Sequence, residues 1–154
     1  MEALVEVSQQ AVNLIKEFEG FSPVPYKCPA GKNTIGYGHV IEAKPFLTHI
    51  TQEEAELILR KELERIEVYL NSVIKKDVKV TQGMFDAMAS LVFNWGFRGF
   101  GHSVGLVRLN NKRYVLAAQE FFSKEKGVVN IKGKFSKGLY RRRQAELELW
   151  NDKT

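Results

Sequence analysis

The residue types that could carry out chemistry concentrate in the first quarter of the chain, around Glu19, Cys28 and Thr34. Cys28 follows Glu19 by nine positions, and Thr34 opens the glycine-rich run Thr34-Ile35-Gly36-Tyr37-Gly38-His39. An acid that faces a polar pair across a cleft suits cleavage of a glycosidic bond. The carboxyl can protonate the leaving oxygen while the other groups orient water. We therefore predict an enzyme whose acid is Glu19.

The element that must position Glu19 is an amphipathic helix. Ser8 is a suitable N-cap, and Gly20 ends the helix directly after the acid. Val12 and Ile15 precede Glu19 at helical spacing, which places the carboxyl at the edge of the buried face. Burial and the negative end of the helix dipole both favour a neutral carboxyl, as a general acid requires. The alternative is a solvated carboxylate at a helix end.

Short strands are predicted after this helix. Three prolines between residues 21 and 30 exclude a helix, and Pro29-Ala30-Gly31 indicates a turn. Residues 34–39 are predicted as one strand with Gly36 and Gly38 on the same face. Alternate glycines on a strand face often indicate close approach of a ligand or of another backbone. This pattern adds Gly38 to the candidate binding residues.

The remaining chain is predicted to be helical. Thr51-Gln52-Glu53-Glu54 is a capping box that opens a helix to about residue 74, long enough to connect two lobes. From residue 81 onward we predict only helices, with a loop that contains Gly99 and Gly101 and a Gly/Lys-rich loop at 127–134. We expect one α+β domain over residues 1–154, with lobes at about 12–75 and 76–154 plus the N-terminal helix.

These motifs resemble the phage-type lysozymes (endolysins, glycoside hydrolase family 24). The resemblance rests on the spacing of Glu19, Cys28 and Thr34 and on the glycine-rich run. It continues in three further segments, Ile50-Thr51-Gln52-Glu53-Glu54-Ala55-Glu56, Phe93-Asn94-Trp95-Gly96 and Gly138-Leu139-Tyr140-Arg141-Arg142-Arg143-Gln144-Ala145-Glu146. It implies a lysozyme-like fold with a small N-terminal β-lobe and a larger helical lobe.

The resemblance also implies hydrolysis of the β-1,4 bond between N-acetylmuramic acid and N-acetylglucosamine in peptidoglycan. Glu19 falls where the family has its general acid, and Thr34 where a threonine positions water or substrate. Arg142 matches the arginine that pairs with the acid, and His39 matches a histidine used for lobe packing. The alternative for the three consecutive arginines is a solvated face or a phosphate-binding patch. The substrate-binding candidates are Gly38, Phe93, Asn94 and Ser103.

Cys28 departs from the family pattern, because many members have aspartate there. The chain has only three aspartates, and none is near this segment: Asp77, Asp86 and Asp152. An ordinary thiol is only roughly a few per cent thiolate at pH 7. Either its surroundings lower its pKa, or the thiol and Thr34 orient water without full base catalysis. A small buried hydrophobic residue is the structural alternative, and a wall-binding protein that has lost its chemistry is the functional one.

Charge and composition limit the other possibilities. Residues 1–76 carry 9 basic and 11 acidic side chains, whereas residues 77–154 carry 14 and 7, so the second half holds the positive charge. This favours a polyanionic partner. Known nucleic-acid-binding motifs are absent from the sequence, and the acidic residues of the short last helix argue against membrane disruption as a main activity.

We expect a monomer that acts on peptidoglycan, with no cofactor, no metal site and no obligate protein partner. No secretory signal is recognisable at the N-terminus. We therefore expect synthesis in the cytoplasm of a host bacterium, with action on the cell wall after release.

Overall fold

The computed structural model describes residues 4–44 and 46–152. Within these residues, seven helices accompany one three-stranded and one two-stranded sheet. The elements in chain order are α1 (Gln9–Glu19), β1 (Ser22–Lys27), β2 (Asn33–Gly36), β3 (His39–Val40), α2 (Gln52–Val73), α3 (Gln82–Trp95), α4 (Phe97–Gly101), α5 (Val104–Asn110), α6 (Tyr114–Phe122), β4 (Asn130–Ile131), β5 (Lys134–Phe135) and α7 (Lys137–Asn151). The predicted α+β class is confirmed.

Helix α1 begins and ends where the sequence predicts. The Ser8 hydroxyl accepts from the Gln10 N–H at the N-terminus, and Gly20 ends the helix with φ +70°. The carboxylate of buried Asp86 on α3 accepts from the Ser8 N–H at 2.9 Å and also from the Ser8 hydroxyl. This contact fixes the start of α1 against the core, so the position of Glu19 at its other end is well defined.

The three strands after α1 form an antiparallel sheet in the order β1-β2-β3. The prediction of a single strand over residues 34–39 is wrong, because a turn at Tyr37 and Gly38 separates β2 from β3. Gly36 and Gly38 have φ of +65° and +76°, a left-handed conformation that favours glycine and breaks the strand. The alternating glycines therefore mark a tight hairpin rather than a strand face.

Helix α2 connects the sheet to the helices that follow. Thr51 and Glu54 form the predicted capping box. The helix has 22 residues, which corresponds to about 33 Å at a rise of 1.5 Å per residue. Its buried stripe runs from the sheet end to the helical end and consists of Ala55, Leu59, Leu63, Ile66 and Leu70.

Helix α3 lies at the centre of the helical part, and nine of its fourteen residues are buried. It packs against α1, α2, α4 and α7. Trp150 near the end of α7 packs edge-on against Phe121 and Phe122 of α6, with ring centroids 6.1 and 5.6 Å apart. One hydrophobic core extends from Val12 through α3 to Trp150.

Two predictions for the second half are wrong. The segment with Gly99 and Gly101 is the short helix α4 rather than a loop, and the Gly/Lys-rich loop contains the β4–β5 hairpin. That hairpin turns at Lys132 and Gly133, both with positive φ. In the described part of the chain, every helix is too short or too polar to cross a bilayer.

Candidate active site

Glu19 is the last residue of α1, and other parts of the chain hold its carboxylate from two sides. Arg142 Nη1 on α7 donates to Glu19 Oε2 at 2.5 Å. On the other side, a Cβ atom at Gly38 would lie only 2.6 Å from Glu19 Oε1, so only glycine leaves room for the acid. The Glu19 side chain remains 21% exposed. One face of the carboxyl is therefore open to a ligand.

Arg142 is itself fixed by several contacts, and its side chain is only 4% exposed. Its Nη2 donates to the Ser90 carbonyl oxygen at 3.3 Å, and its Nε donates to the Ser90 hydroxyl at 3.4 Å. The Phe18 ring lies 5.9 Å from the guanidinium carbon. A guanidinium held at several atoms cannot swing away, so it holds the Glu19 carboxylate in one position.

A fully buried carboxylate lies behind Arg142. Glu146 on α7 accepts from the Ser90 hydroxyl at 2.5 Å and forms ion pairs with Arg143 at 2.6 Å and with Arg142 at 3.5 Å. Burial raises the pKa of Glu146, while the two guanidinium groups oppose this effect. Two carboxylates and two guanidiniums thus alternate along the network from Glu19 to Arg143.

Cys28 and Thr34 lie together in the β1–β2 hairpin. Thr34 is buried and its hydroxyl donates to the Lys32 carbonyl at 3.0 Å, whereas Cys28 is half-buried. Hydrogen bonding by the Lys32 backbone lowers the pKa of the Cys28 thiol, although desolvation partly opposes this effect. The hairpin therefore favours the thiolate, which is one of the two possibilities that the sequence left open.

Tyr26 lies beside both parts of the site. A cavity of about 310 Å³ is lined by Glu19, Gly20, Phe21, Ser22 and Tyr26. Burial raises the pKa of Tyr26, and the charges of Glu19 and Cys28 raise it further. Tyr26 therefore lies in the electrostatic field of both groups and lines the cavity together with Glu19.

His39 on β3 links the three-stranded sheet to α2. Its Nδ1 lies 3.0 Å from Glu62 Oε1, which joins β3 to α2. The hydrogen bond to Glu62 raises the pKa of His39, although partial burial opposes it. This contact suits the packing role expected of His39.

The other candidate residues have definite positions in the helical part. Asn94 Oδ1 accepts from Arg143 Nη2 at 2.8 Å, so its amide belongs to the buried network. Phe93 is half-buried against the hydrophobic core. The Ser103 hydroxyl donates to the Phe100 carbonyl and accepts from the Leu106 N–H, so it caps α5. Substrate contact by these three residues stays a prediction.

A larger groove, of about 740 Å³, lies between α1 and the end of α7. Glu17, Leu149 and Asp152 are among its lining residues, and neither Glu19 nor the hairpin contributes to it. Among residues 4–44 and 46–152, no cluster of histidine, cysteine and acidic residues could hold a metal ion. The smaller cavity beside Glu19 is the candidate active site.

Comparison with known proteins agrees with this geometry. The family described as phage lysozyme matches residues 16–146. The endolysin of Acyrthosiphon pisum secondary endosymbiont phage 1 is 40% identical over 95% of this chain and 98% of its own length. The solved endolysin of Escherichia coli O157:H7 phage FAHEc1 is 31% identical, with a TM-score of 0.81 over 100% of this chain and 98% of that one.

A third match is the muramidase domain of SpmX from Asticaccaulis excentricus, which is 33% identical with a TM-score of 0.81. This alignment covers 96% of the present chain and 98% of that domain. The chain belongs to the phage lysozyme family. It is a lysozyme-type glycoside hydrolase with peptidoglycan as its substrate, and the lysozyme-like fold is confirmed. A family member that has lost its chemistry is not favoured.

Sequence reasoning missed three residues of this lysozyme site. Glu146 follows Arg142 and Arg143 at helical spacing, so its pairing with them was available as a signal. Ser90 and Tyr26 gave no such signal. Ser90 is 52 residues from Arg142 along the chain, and only the tertiary fold brings the two together.

We predict that Gly38→Ala displaces the Glu19 carboxyl. The new methyl group would overlap Glu19 Oε1, and alanine at φ +76° is also strained, at a cost of roughly 1–2 kcal/mol. We expect kcat for peptidoglycan hydrolysis to fall at least about tenfold. Steady-state turbidity assays and urea unfolding measure the two effects separately.

Gly133→Ala is the matched control. Gly133 has φ +82°, and nothing lies within 4 Å of a Cβ atom placed there. The control variant should lose similar stability and keep its activity. Equal activity of the two variants would contradict a steric role for Gly38.

We predict that the His39–Glu62 pair stabilises the fold at mildly acidic pH. The pKa of His39 is raised in the folded protein, so the contribution is complete below the unfolded pKa and is lost as the pH rises through the folded value. Glu62→Gln should lower stability by less than about 1 kcal/mol at pH 6, because both side chains are about one-third exposed. The loss should be smaller at pH 8.5.

Thermal unfolding of the wild type and of Glu62→Gln across this pH range measures the difference. Glu64→Gln is a control at an exposed position of the same helix. A destabilisation by Glu62→Gln that does not change with pH would show that His39 is not the charged partner.

Proposed function

We propose that this lysozyme is an endolysin that cleaves the β-1,4 bond between N-acetylmuramic acid and N-acetylglucosamine, with Glu19 as general acid. The observation that carries this assignment is the position of the Glu19 carboxyl, between Arg142 and the backbone of Gly38, with one face open. In this mechanism Glu19 donates its proton to the glycosidic oxygen as the bond to the sugar carbon breaks.

Arg142 positions the acid rather than reacting itself. The Arg142 guanidinium lies 2.5 Å from Glu19 Oε2 and stabilises the carboxylate left after proton transfer. The fixed guanidinium also restricts the carboxyl to one orientation. We infer that orientation is its main contribution to the rate.

Cys28 and Thr34 orient the attacking water in this proposal. The Thr34 hydroxyl is anchored at the Lys32 carbonyl, and the hairpin backbone lowers the pKa of the Cys28 thiol. A thiolate can accept a proton from water, and a neutral thiol can still hold it in place. Support for this assignment comes from the shared hairpin. It also comes from Tyr26, because the charges of Glu19 and Cys28 both raise its pKa.

Several further features belong to the same proposal. Gly38, Phe93, Asn94 and Ser103 contact the sugar chain, and His39 supports the hairpin from α2. The protein works as a monomer without a protein partner and reaches the wall after release from the host cytoplasm. The positive charge of residues 77–154 helps it to adhere to anionic wall material.

We predict that Glu19→Gln abolishes lysis of chloroform-treated Gram-negative cells. The amide retains the size of the carboxyl but cannot donate its proton, so activity should fall by roughly 10²–10⁴-fold. Mass analysis of peptidoglycan digested by the wild type in heavy-oxygen water identifies the reaction. Labelled reducing-end muramic acid is the expected product.

Glu17→Gln on the exposed face of the same helix is the control and should remain fully active. Anhydro-sugars in the digest would instead indicate a lytic transglycosylase reaction and would contradict hydrolysis. Full lysis by Glu19→Gln would refute the assignment of the acid.

We predict that Cys28→Ala lowers kcat/KM by roughly 10–100-fold, less than Glu19→Gln, because only the orientation or activation of water is lost. Cys28→Asp should retain most of the activity. Thiolate is lost as the pH falls through the thiol pKa, and an aspartate titrates at lower pH. The acid limb of the pH–rate profile should therefore move to lower pH in Cys28→Asp.

Cys28→Ser is the matched control for size, since a hydroxyl stays neutral throughout this pH range. It should resemble Cys28→Ala if the charge is required, and the wild type if a polar group is enough to hold the water. Full activity of Cys28→Ala would refute any catalytic role for this residue.

A further inference from the structure

We propose that Tyr26 is a substrate-contacting residue, which binds the sugar next to the scissile bond through both its ring and its hydroxyl. This inference rests on the proposed function and adds a subsite residue to it. Tyr26 was not among the residues that the sequence singled out. Its assignment comes from the sheet register and from the cavity beside the acid.

The sheet places Tyr26 on the same side as the polar pair. Tyr26 on β1 is directly opposite Thr34 on β2, and residues opposite each other in an antiparallel pair point to the same face. Cys28 follows Tyr26 by two residues, the spacing that returns an extended chain to the same face. The ring therefore lies on the face of the hairpin that carries the chemistry.

The cavity places Tyr26 beside the acid as well. Tyr26 and Glu19 line the same opening of about 310 Å³, together with the chain between them at Gly20, Phe21 and Ser22. Tyr26 is 38% exposed, so part of its ring faces this opening while the rest is packed. A bound sugar whose glycosidic oxygen faces Glu19 therefore contacts the Tyr26 ring.

The Tyr26 hydroxyl is available to a ligand. Within residues 4–44 and 46–152 it makes no hydrogen bond to the protein, whereas the hydroxyl of Tyr69 donates to the Phe97 carbonyl and that of Tyr114 accepts from the Lys79 N–H. Burial and the charges of Glu19 and Cys28 raise the pKa of Tyr26, so its hydroxyl stays protonated at neutral pH. It can donate to a neutral oxygen there.

An N-acetylated sugar matches these properties. A pyranose ring presents C–H groups on its faces, which pack against an aromatic ring, and hydroxyl and amide oxygens at its rim, which accept hydrogen bonds. A phenol supplies an apolar face and a polar tip in one side chain. Because contact to an unreacting part of the substrate exists before and during the reaction, it should act on binding rather than on the chemical step.

Two variants separate the contributions of the ring and the hydroxyl. Tyr26→Phe should raise KM for solubilised glycan strands by roughly two- to tenfold, as expected for one hydrogen bond. Tyr26→Ala should raise KM by roughly 10- to 100-fold, since the ring is lost too. In both variants kcat should stay within about threefold of the wild type.

Binding is measured independently of turnover in the Glu19→Gln background. Cosedimentation with purified peptidoglycan sacculi should show weaker binding of Glu19→Gln/Tyr26→Ala than of Glu19→Gln alone. Val115→Ala is the control, because Val115 is an exposed apolar residue of α6 that does not line the cavity. It should leave KM and cosedimentation unchanged.

Unchanged KM and unchanged cosedimentation of the Tyr26→Ala variants would overturn this proposal. A fall in kcat together with a displaced acid limb of the pH–rate profile would also overturn it, because Tyr26 would then act through Glu19. Thermal unfolding of each variant identifies a loss that is only structural, which also counts against the proposal. If the wild type fails to hydrolyse peptidoglycan, the proposed function fails instead.

Discussion

The ion pair between Glu19 and Arg142 joins the first and last helices beside the cavity of the candidate active site. Glu19 ends the first helix, and Arg142 belongs to the last one, 123 residues later. The pair depends on residues behind it, because Ser90 and Glu146 fix the guanidinium from the side away from the cleft. The orientation of the Glu19 carboxyl, at a helix end, is thereby fixed by contacts with the buried core.

Burying this network is costly unless its charges are balanced. Removing an ion from water costs several kcal/mol, and partners recover this only when the geometry is good. Here each carboxylate contacts a guanidinium, and Arg143 extends the network to Asn94 and to the Val128 carbonyl. The network therefore contains four buried or half-buried charges. Only one face of the Glu19 carboxyl is open. The network serves orientation more than stability.

The sequence predicted the features that depend on local rules. Ser8, Gly20 and the Thr51–Glu54 capping box define helix ends through neighbouring residues, and their positions are confirmed. The hairpin was misjudged because glycines at alternate positions fit both a strand face and a turn, and only φ distinguishes them. Ser90 and Tyr26 were missed for a different reason. The partner of Ser90 is distant in sequence. The position of Tyr26 depends on the sheet register and on the cavity beside Glu19, neither of which the sequence pattern shows.

The three-stranded sheet contributes to both halves of the proposed reaction, through the β2–β3 turn at Gly38 and the β1–β2 hairpin at Cys28. The turn at Gly38 leaves space for the Glu19 carboxyl, and the Lys32 backbone in the loop before β2 lowers the pKa of the Cys28 thiol. In the proposed mechanism, a thiol whose pKa is lowered takes the place of a second carboxylate. Hydrogen bonding by the Lys32 backbone lowers the pKa of the Cys28 thiol without adding a second carboxylate beside Glu19. A cysteine at position 28 is therefore compatible with the proposed mechanism, in which Glu19 is the acid and the β1–β2 hairpin orients the water.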